Sequence, residues 1–200
     1  MSKQITVIAL PQSAATSMMG VIDIFNIANR ISDRINGLDE PLFRTRLVSI
    51  DGEPVTCANG YTISVDGKLE DIKPEDILFI PAFTLATRSD IDRVVASWQP
   101  VLPWFESQGK QQSLIATSCS GSFLLAEAGL LEGKQATTSW WLSQFFTERY
   151  PTVALDKDAI CTMSGNVLCG AGTSSYQDVC LVILEKYAGK HFARLVSKYL

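Results

Sequence analysis

The run Leu114-Ile115-Ala116-Thr117-Ser118-Cys119-Ser120-Gly121-Ser122-Phe123-Leu124-Leu125-Ala126 constrains the fold more than any other stretch of the chain. An apolar segment stops at a cluster of small polar residues, and a helical pattern begins at once. This reads as a buried strand, a tight turn and a helix. Cys119 occupies the turn, and Gly121, two residues on, lets the new helix pack close to the strand that feeds it. A residue at such a turn stands at the carboxyl edge of a sheet, facing backbone N–H groups of the helix start. Those donors favour an anion, the condition for a reactive thiolate. A buried structural cysteine is the plainer reading of the same pattern.

The rest of the chain alternates in the same way. Lys3 to Leu10 reads as a first, central strand, and Pro11 to Ser17 as a loop. Gly20 to Arg34 carries apolar residues on a helical period, and Phe43 to Ile50 is a strand. Val55–Cys57 and Thr62–Val65 form a hairpin around Asn59-Gly60, closed by Asp66-Gly67. Ile77 to Ile80 is a short apolar strand. Ser89 with Asp92 marks a helix start, and Pro100 and Pro103 require a break near Gln99 in the helix from Asp90 to Ser107, which Gly109 ends. Beyond Cys119, helices are expected from Trp140 to Tyr150, from Ser174 to Tyr187 and from Lys190 to Leu200. Strands are expected at 153–155, 159–163 and 167–169. Lys186, Lys190, Arg194 and Lys198 fall four apart on one helix face; a solvated face is the first reading and a DNA-contacting stripe the second. The pattern predicts an α/β fold with a mostly parallel sheet covered on both faces, with ligands at the carboxyl ends of its strands. Loops after Leu10, after Ile80 and at Cys119 should meet there.

Two hundred residues at 46% hydrophobic content suit one domain, residues 1–200. No apolar stretch approaches a membrane span, and the first residues lack a signal-peptide pattern, so the expectation is a cytoplasmic protein with no membrane partner. A net charge of −4 gives the whole chain no general affinity for nucleic acid. The five cysteines, Cys57, Cys119, Cys161, Cys169 and Cys180, form no C-x-x-C pair, and His191 is the one histidine. Free thiols are expected, with no metal site and no cofactor.

Three further stretches sharpen the picture: Asp76-Ile77-Leu78-Phe79-Ile80-Pro81, the continuation from Ala116 through Glu127-Ala128-Gly129-Leu130-Leu131-Glu132-Gly133-Lys134-Gln135-Ala136-Thr137-Thr138, and Phe146-Thr147-Glu148-Arg149-Tyr150-Pro151. With the Ala171-Gly172 turn and the final Tyr187-Ala188-Gly189, they resemble the DJ-1/PfpI superfamily, also called class I glutamine amidotransferase-like. The similarity is greatest to the N-terminal domains of AraC-type transcription regulators. The resemblance implies a flavodoxin-like three-layer sandwich with Cys119 at the nucleophile elbow. It also implies that DNA is reached only through a C-terminal helix-turn-helix domain not in this chain.

The departures from that pattern bear on chemistry. Enzymatic relatives carry an acidic residue after the first strand, where this chain aligns Ser17; Asp23 matches a different, helix-borne position. Where hydrolases of the superfamily carry a histidine after the cysteine, this chain has Ser120. Where many relatives carry one after the Thr-Thr pair, it has Ser139. Two glycines that usually help form an oxyanion site are here Ala82 and Phe83. A thiol nucleophile needs a base, and a tetrahedral intermediate needs aimed donors; Ser17, Ser120 and Ser139 supply no base. The expectation is a ligand-sensing, dimerising regulator domain with a non-catalytic pocket. A small polar or carbonyl-containing ligand would sit among Ser17, Ala82, Phe83, Cys119, Ser120, Ser139 and Trp140, with Phe83 or Trp140 covering its apolar part. Core packing is the competing expectation for Trp140 and Trp141, and for at least one of them the favoured one. The alternatives are a stand-alone cysteine enzyme, isonitrile hydratase-like or glyoxalase-like, with Cys119 as its candidate catalytic residue, and a thiol redox sensor with Cys57, Cys161 or Cys169 as resolving partner.

Overall fold

The computed structural model describes residues 2–37, 40–72, 77–85, 87–110 and 113–200; Asp76, the first residue of one family-like stretch, lies outside them. The chain opens with β1 (Lys3–Ile8), α1 (Ala15–Asn36) and β2 (Phe43–Ser49). The short strands β3 (Val55–Thr56), β4 (Thr62–Ile63) and β5 (Gly67–Lys68) follow, then β6 (Ile77–Ile80), α2 (Arg88–Trp98) and α3 (Leu102–Lys110). Next come β7 (Leu114–Ser118), α4 (Gly121–Glu127), β8 (Gln135–Ala136), α5 (Ser143–Arg149) and β9 (Ala154–Leu155). β10 (Cys161–Ser164), β11 (Val167–Gly170), α6 (Tyr176–Ala188) and α7 (Lys190–Val196) complete the order.

Seven strands form one sheet in the order β10-β11-β7-β6-β1-β2-β5. Every pairing is parallel except β10 with β11. Ile77-Leu78-Phe79-Ile80 and Leu114-Ile115-Ala116 are buried on both faces, which explains their unbroken apolar character. One face is covered by a core containing Trp98, Phe105, Phe123 and Phe146 from α2 to α5. The other is covered by Phe25, Val179, Ile183 and Val196 from α1, α6 and α7. The fold is the three-layer α/β sandwich that the alternation predicts. From β1 the chain steps to β2 on one side and returns to β6 on the other, so the switch point lies between β1 and β6.

Several boundaries differ from expectation. α1 starts at Ala15, so Ser17 sits in the first turn of a helix rather than in a loop. The Ala14 N–H donates to the Ala82 carbonyl (2.7 Å), and Ser17 Oγ donates to the Ala14 carbonyl (2.9 Å), which fixes that early start. The cap of α2 is Thr87 with Asp90, each side chain accepting from the other's backbone N–H, and not Ser89 with Asp92. The break between α2 and α3 does fall at Gln99, but Pro100 stays in the turn and α3 runs through Gly109 to Lys110. Gly67 begins an edge strand on β2 instead of only closing the hairpin. A 3-10 turn at Trp140–Leu142 precedes α5. The break at Gly189 (φ 88°) falls where expected, but α7 ends at Val196 rather than Leu200, and the four cations do not share one helix face: Lys186 stands on α6 and Lys190 and Arg194 on α7.

Candidate functional site

Cys119 sits where β7 ends and α4 begins, at φ 55°, a left-handed conformation costly for a residue with a side chain. The turn is held from three sides. The Cys119 N–H donates to the Gly170 carbonyl (2.7 Å), and the Cys119 carbonyl accepts from Ser122 Oγ (3.0 Å) and Thr138 Oγ1 (3.2 Å). Gly121 is required there: a Cβ would fall on Thr117 Oγ1 and lie 2.6 Å from the Pro81 carbonyl oxygen. The elbow is therefore built as the sequence implies.

The surroundings of the thiol are hydroxyls. Ser139 Oγ is within hydrogen-bond distance of Cys119 Sγ and donates to the Ala171 carbonyl (3.3 Å). Thr173 Oγ1 lies 3.5 Å from the sulfur. Cys119 is only 2% exposed. Asp23 is exposed on α1 and His191 is exposed on α7, and neither joins this cluster.

The loop after β6 is occupied from within. The Ala82 N–H donates to Ser17 Oγ (3.2 Å), and the Phe83 N–H donates to Ser120 Oγ (2.8 Å), whose own proton goes to the Phe83 carbonyl (2.6 Å). Ser17 and Ser120 thus each cap a backbone amide that could otherwise face a developing oxyanion. The crevice at the switch point is also stitched shut: Ser13 and Phe83 form an antiparallel bridge, and the Thr84 N–H donates to the Gln12 carbonyl (3.3 Å). The three loops do meet, and their meeting closes the space between β1 and β6.

An open space lies on the other side, toward β11. A cavity of about 290 Å³ is lined by Ser139, Trp140, Trp141, Ile160, Ala171 and Ser174, among others. Ser139 is its contact with the buried thiol. Trp140 is 77% exposed and Trp141 44%, their rings edge to face at 5.9 Å. The expectation that one of them packs in the core is thus incorrect, because Leu142 and Phe146 fill the inward positions of that segment. Phe83 does not cover a pocket either: its ring is buried against Trp98 at 4.8 Å. Of the residues singled out in the sequence, Ser139 and Trp140 line the cavity, Cys119 lies beneath it, and Ser17, Ala82, Phe83 and Ser120 form the closed wall. Thr173, Trp141 and Ile160 were not singled out as part of the site. Thr173 follows the Ala171-Gly172 turn, the one signal that pointed to it.

Burial pushes Cys169 up to about 12 and Cys161 up to about 11, and it also raises Cys57 and Cys180. All five cysteines are free. Among the described residues no group of His, Cys, Asp or Glu is placed to hold a metal ion, and no helix is long and apolar enough to cross a membrane.

A model of the DJ-1/PfpI family matches residues 31–186. The chain belongs to the DJ-1/PfpI family. It is 27% identical over 198 residues to the HTH-type transcriptional regulator CdhR of Pseudomonas aeruginosa, covering 99% of this chain and 54% of that protein. It is 28% identical over 159 residues to an isonitrile hydratase of Pseudomonas putida, covering 78% of this chain and 65% of the enzyme. The chain therefore spans about half the length of the regulator and about two thirds of the hydratase. Among solved structures, Drosophila melanogaster DJ-1beta superposes with a TM-score of 0.77 at 21% identity, over 99% of this chain and 97% of that one, which bears on the fold alone. In this member Cys119 stands at the elbow with the hydroxyls of Ser139 and Thr173 beside it.

Proposed function

We propose that this chain is the ligand-sensing and dimerisation domain of an AraC-type transcription regulator, cytoplasmic, with a non-catalytic pocket beside Cys119. The observation that carries this reading is the pairing of Ser17 with the Ala82 amide and of Ser120 with the Phe83 amide. Acyl or carbonyl chemistry at a thiol needs a base and free, aimed donors. Here the hydroxyls of Ser17 and Ser120 are spent on holding the loop, and among the described residues the hydrogen-bond partners of the sulfur are the hydroxyls of Ser139 and Thr173. The strained elbow persists because Gly170, Ser122 and Thr138 over-determine it, so the fold survives without the reaction.

The ligand of this reading is a small polar or carbonyl-containing molecule. Its polar end bonds the Ser139 hydroxyl, and its apolar part lies against Trp140. Binding favours one arrangement of a homodimer over another, and a helix-turn-helix domain carried on the same polypeptide reads that change on DNA. The match to a regulator about twice as long supports this arrangement. The test is the natural coding sequence beyond Leu200. A continuation of roughly a hundred residues with a helix-turn-helix pattern is expected; a stop codon at that point would remove the DNA-binding half of the reading.

The second reading is a stand-alone cysteine enzyme. It is favoured by the left-handed Cys119 and by the isonitrile hydratase relative. Turnover of small aldehydes, amides or isonitriles that disappears in Cys119→Ala is its signature.

A further inference from the structure

The chain's charge is strongly segregated. Residues 186–200 contain four of its 17 Lys and Arg and none of its 21 Asp and Glu, which leaves 13 against 21, or −8, on residues 1–185. The four cations are Lys186, Lys190, Arg194 and Lys198, and all are exposed. The apolar residues of α7 turn the other way: Ala193 and Val196 are buried against the α1 and α6 side of the sandwich. Lys190, Arg194 and Lys198 follow one another at intervals of four residues, about 6 Å of helix rise each. Ser197, Lys198 and Tyr199 continue the coil with N–H donation to Ala193, Leu195 and Val196, so the third cation stays on the outward face. Elsewhere Arg44, Lys68, Arg88, Arg93 and Arg149 each meet a carboxylate. Among the described residues none of the four terminal cations does.

Lys186 lies at the end of α6 opposite the one that starts beside Cys119. α6 starts beside the carboxyl end of β11 and runs back along the sheet to Tyr187, whose ring lies 5.3 Å from Lys3 Nζ at the start of β1. The four cations make a local basic patch, beside Glu185, on a net-acidic chain, and such a patch attracts a polyanion locally.

We propose that the outward face of α7, with Lys186 beside it, is a docking surface for the phosphate backbone of duplex DNA. The surface makes no base contacts and adds sequence-independent affinity. A lipid surface fits less well, because membrane-lying helices need a continuous apolar face to insert, and on α7 Ala193 and Val196 are buried in the core and Phe192 and Leu195 partly so, which leaves Tyr199 and Leu200 as the exposed apolar residues beyond it. The proposal rests on the regulator reading only for why DNA would be at hand.

The test is fluorescence anisotropy of a labelled random-sequence duplex of about 30 base pairs, titrated with the 200-residue chain from about 50 to about 200 mM salt. With three to four phosphates neutralised, the log–log salt slope is expected near −3, and affinity falls about 40- to 150-fold across that range. The triple variant Lys190→Gln, Arg194→Gln, Lys198→Gln should lose about tenfold or more at the lowest salt and flatten the slope by about 3. Arg93→Gln, on α2, should bind as the unaltered chain does. All four side chains are exposed, so folding is not at stake, and circular dichroism checks it. No binding at low salt, equal binding by the triple variant, or binding to anionic phospholipid vesicles without binding to the duplex would each overturn the proposal. Such a failure leaves the sensor reading standing, because that reading is judged on the coding sequence and on the cavity at Ser139.

Discussion

Ser120 Oγ donates to the Phe83 carbonyl and accepts from the Phe83 N–H, so one hydroxyl closes both backbone polar groups of a single buried residue. Both residues lie at the carboxyl edge of the sheet, one at the start of α4 and one after β6. The bond joins the elbow to the loop that would otherwise complete an oxyanion site. Ser17 Oγ accepts from the neighbouring Ala82 N–H and donates to the Ala14 carbonyl.

Removing that hydroxyl strands two buried groups. Ser120→Ala should destabilise the fold by about 1–3 kcal/mol. For a domain of this size that lowers Tm by several degrees, on the order of 2–4 °C per kcal/mol. Urea unfolding of both proteins gives the number; a change within error of zero would mean the peptide finds other partners. No gain of turnover is expected in this variant, because freeing an amide supplies no base.

Gly121→Ala should be far less tolerated. The new Cβ meets Thr117 Oγ1 and the Pro81 carbonyl, and a carbonyl in the backbone cannot move aside as a side-chain tip can. A loss of about 3 kcal/mol or failure to accumulate as folded protein is expected. Near-native stability would show that α4 does not approach β7 as closely as described.

Stability should fall with alkaline pH. Cys169 is pushed up to about 12 from the ordinary thiol value of 9.0. A thiol held protonated in the fold contributes stability that is fully present below about pH 9, and that is lost as the pH rises toward about 12. Cys161, raised to about 11, acts in the same direction. Unfolding free energies measured from pH 8 to 10.5 should decline, and Cys169→Ala should flatten the decline. A slope unchanged by that variant would place the effect elsewhere.

Thiol accessibility gives a further check. Cys57, Cys119, Cys169 and Cys180 are buried and only Cys161 is partly open. At neutral pH a thiol-labelling reagent should react slowly with the native chain, with Cys161 first, and rapidly with all five cysteines after denaturation. Fast labelling of Cys119 in the native state would favour the redox or enzymatic readings.

Much of the scaffold is legible in the residues. The strand, turn and helix around Cys119 declare themselves because an apolar run, a small polar cluster and a new periodicity follow one another without a gap. β9 falls within the expected 153–155, but β5 is not legible, since two residues carry no period and their pairing is decided by a distant partner. The early start of α1 escapes for a similar reason: Ala14-Ala15-Thr16-Ser17 reads as a loop until the Ala82 carbonyl is brought against it. Trp140 and Trp141 mislead because bulk and apolarity predict burial, whereas Leu142 and Phe146 take the inward places. The serines are the sharpest case. Ser17 and Ser120 are visible in the residues at once, but their grip on the Ala82 and Phe83 amides exists only in three dimensions.

The central claim is a family fold that keeps its elbow cysteine without its reaction. The most direct measurement is steady-state turnover on a panel of small aldehydes, amides and isonitriles, comparing the unaltered chain with Cys119→Ala at neutral pH. The account predicts that both proteins are indistinguishable from buffer on every substrate. Turnover that depends on Cys119 would contradict it and make the chain an enzyme.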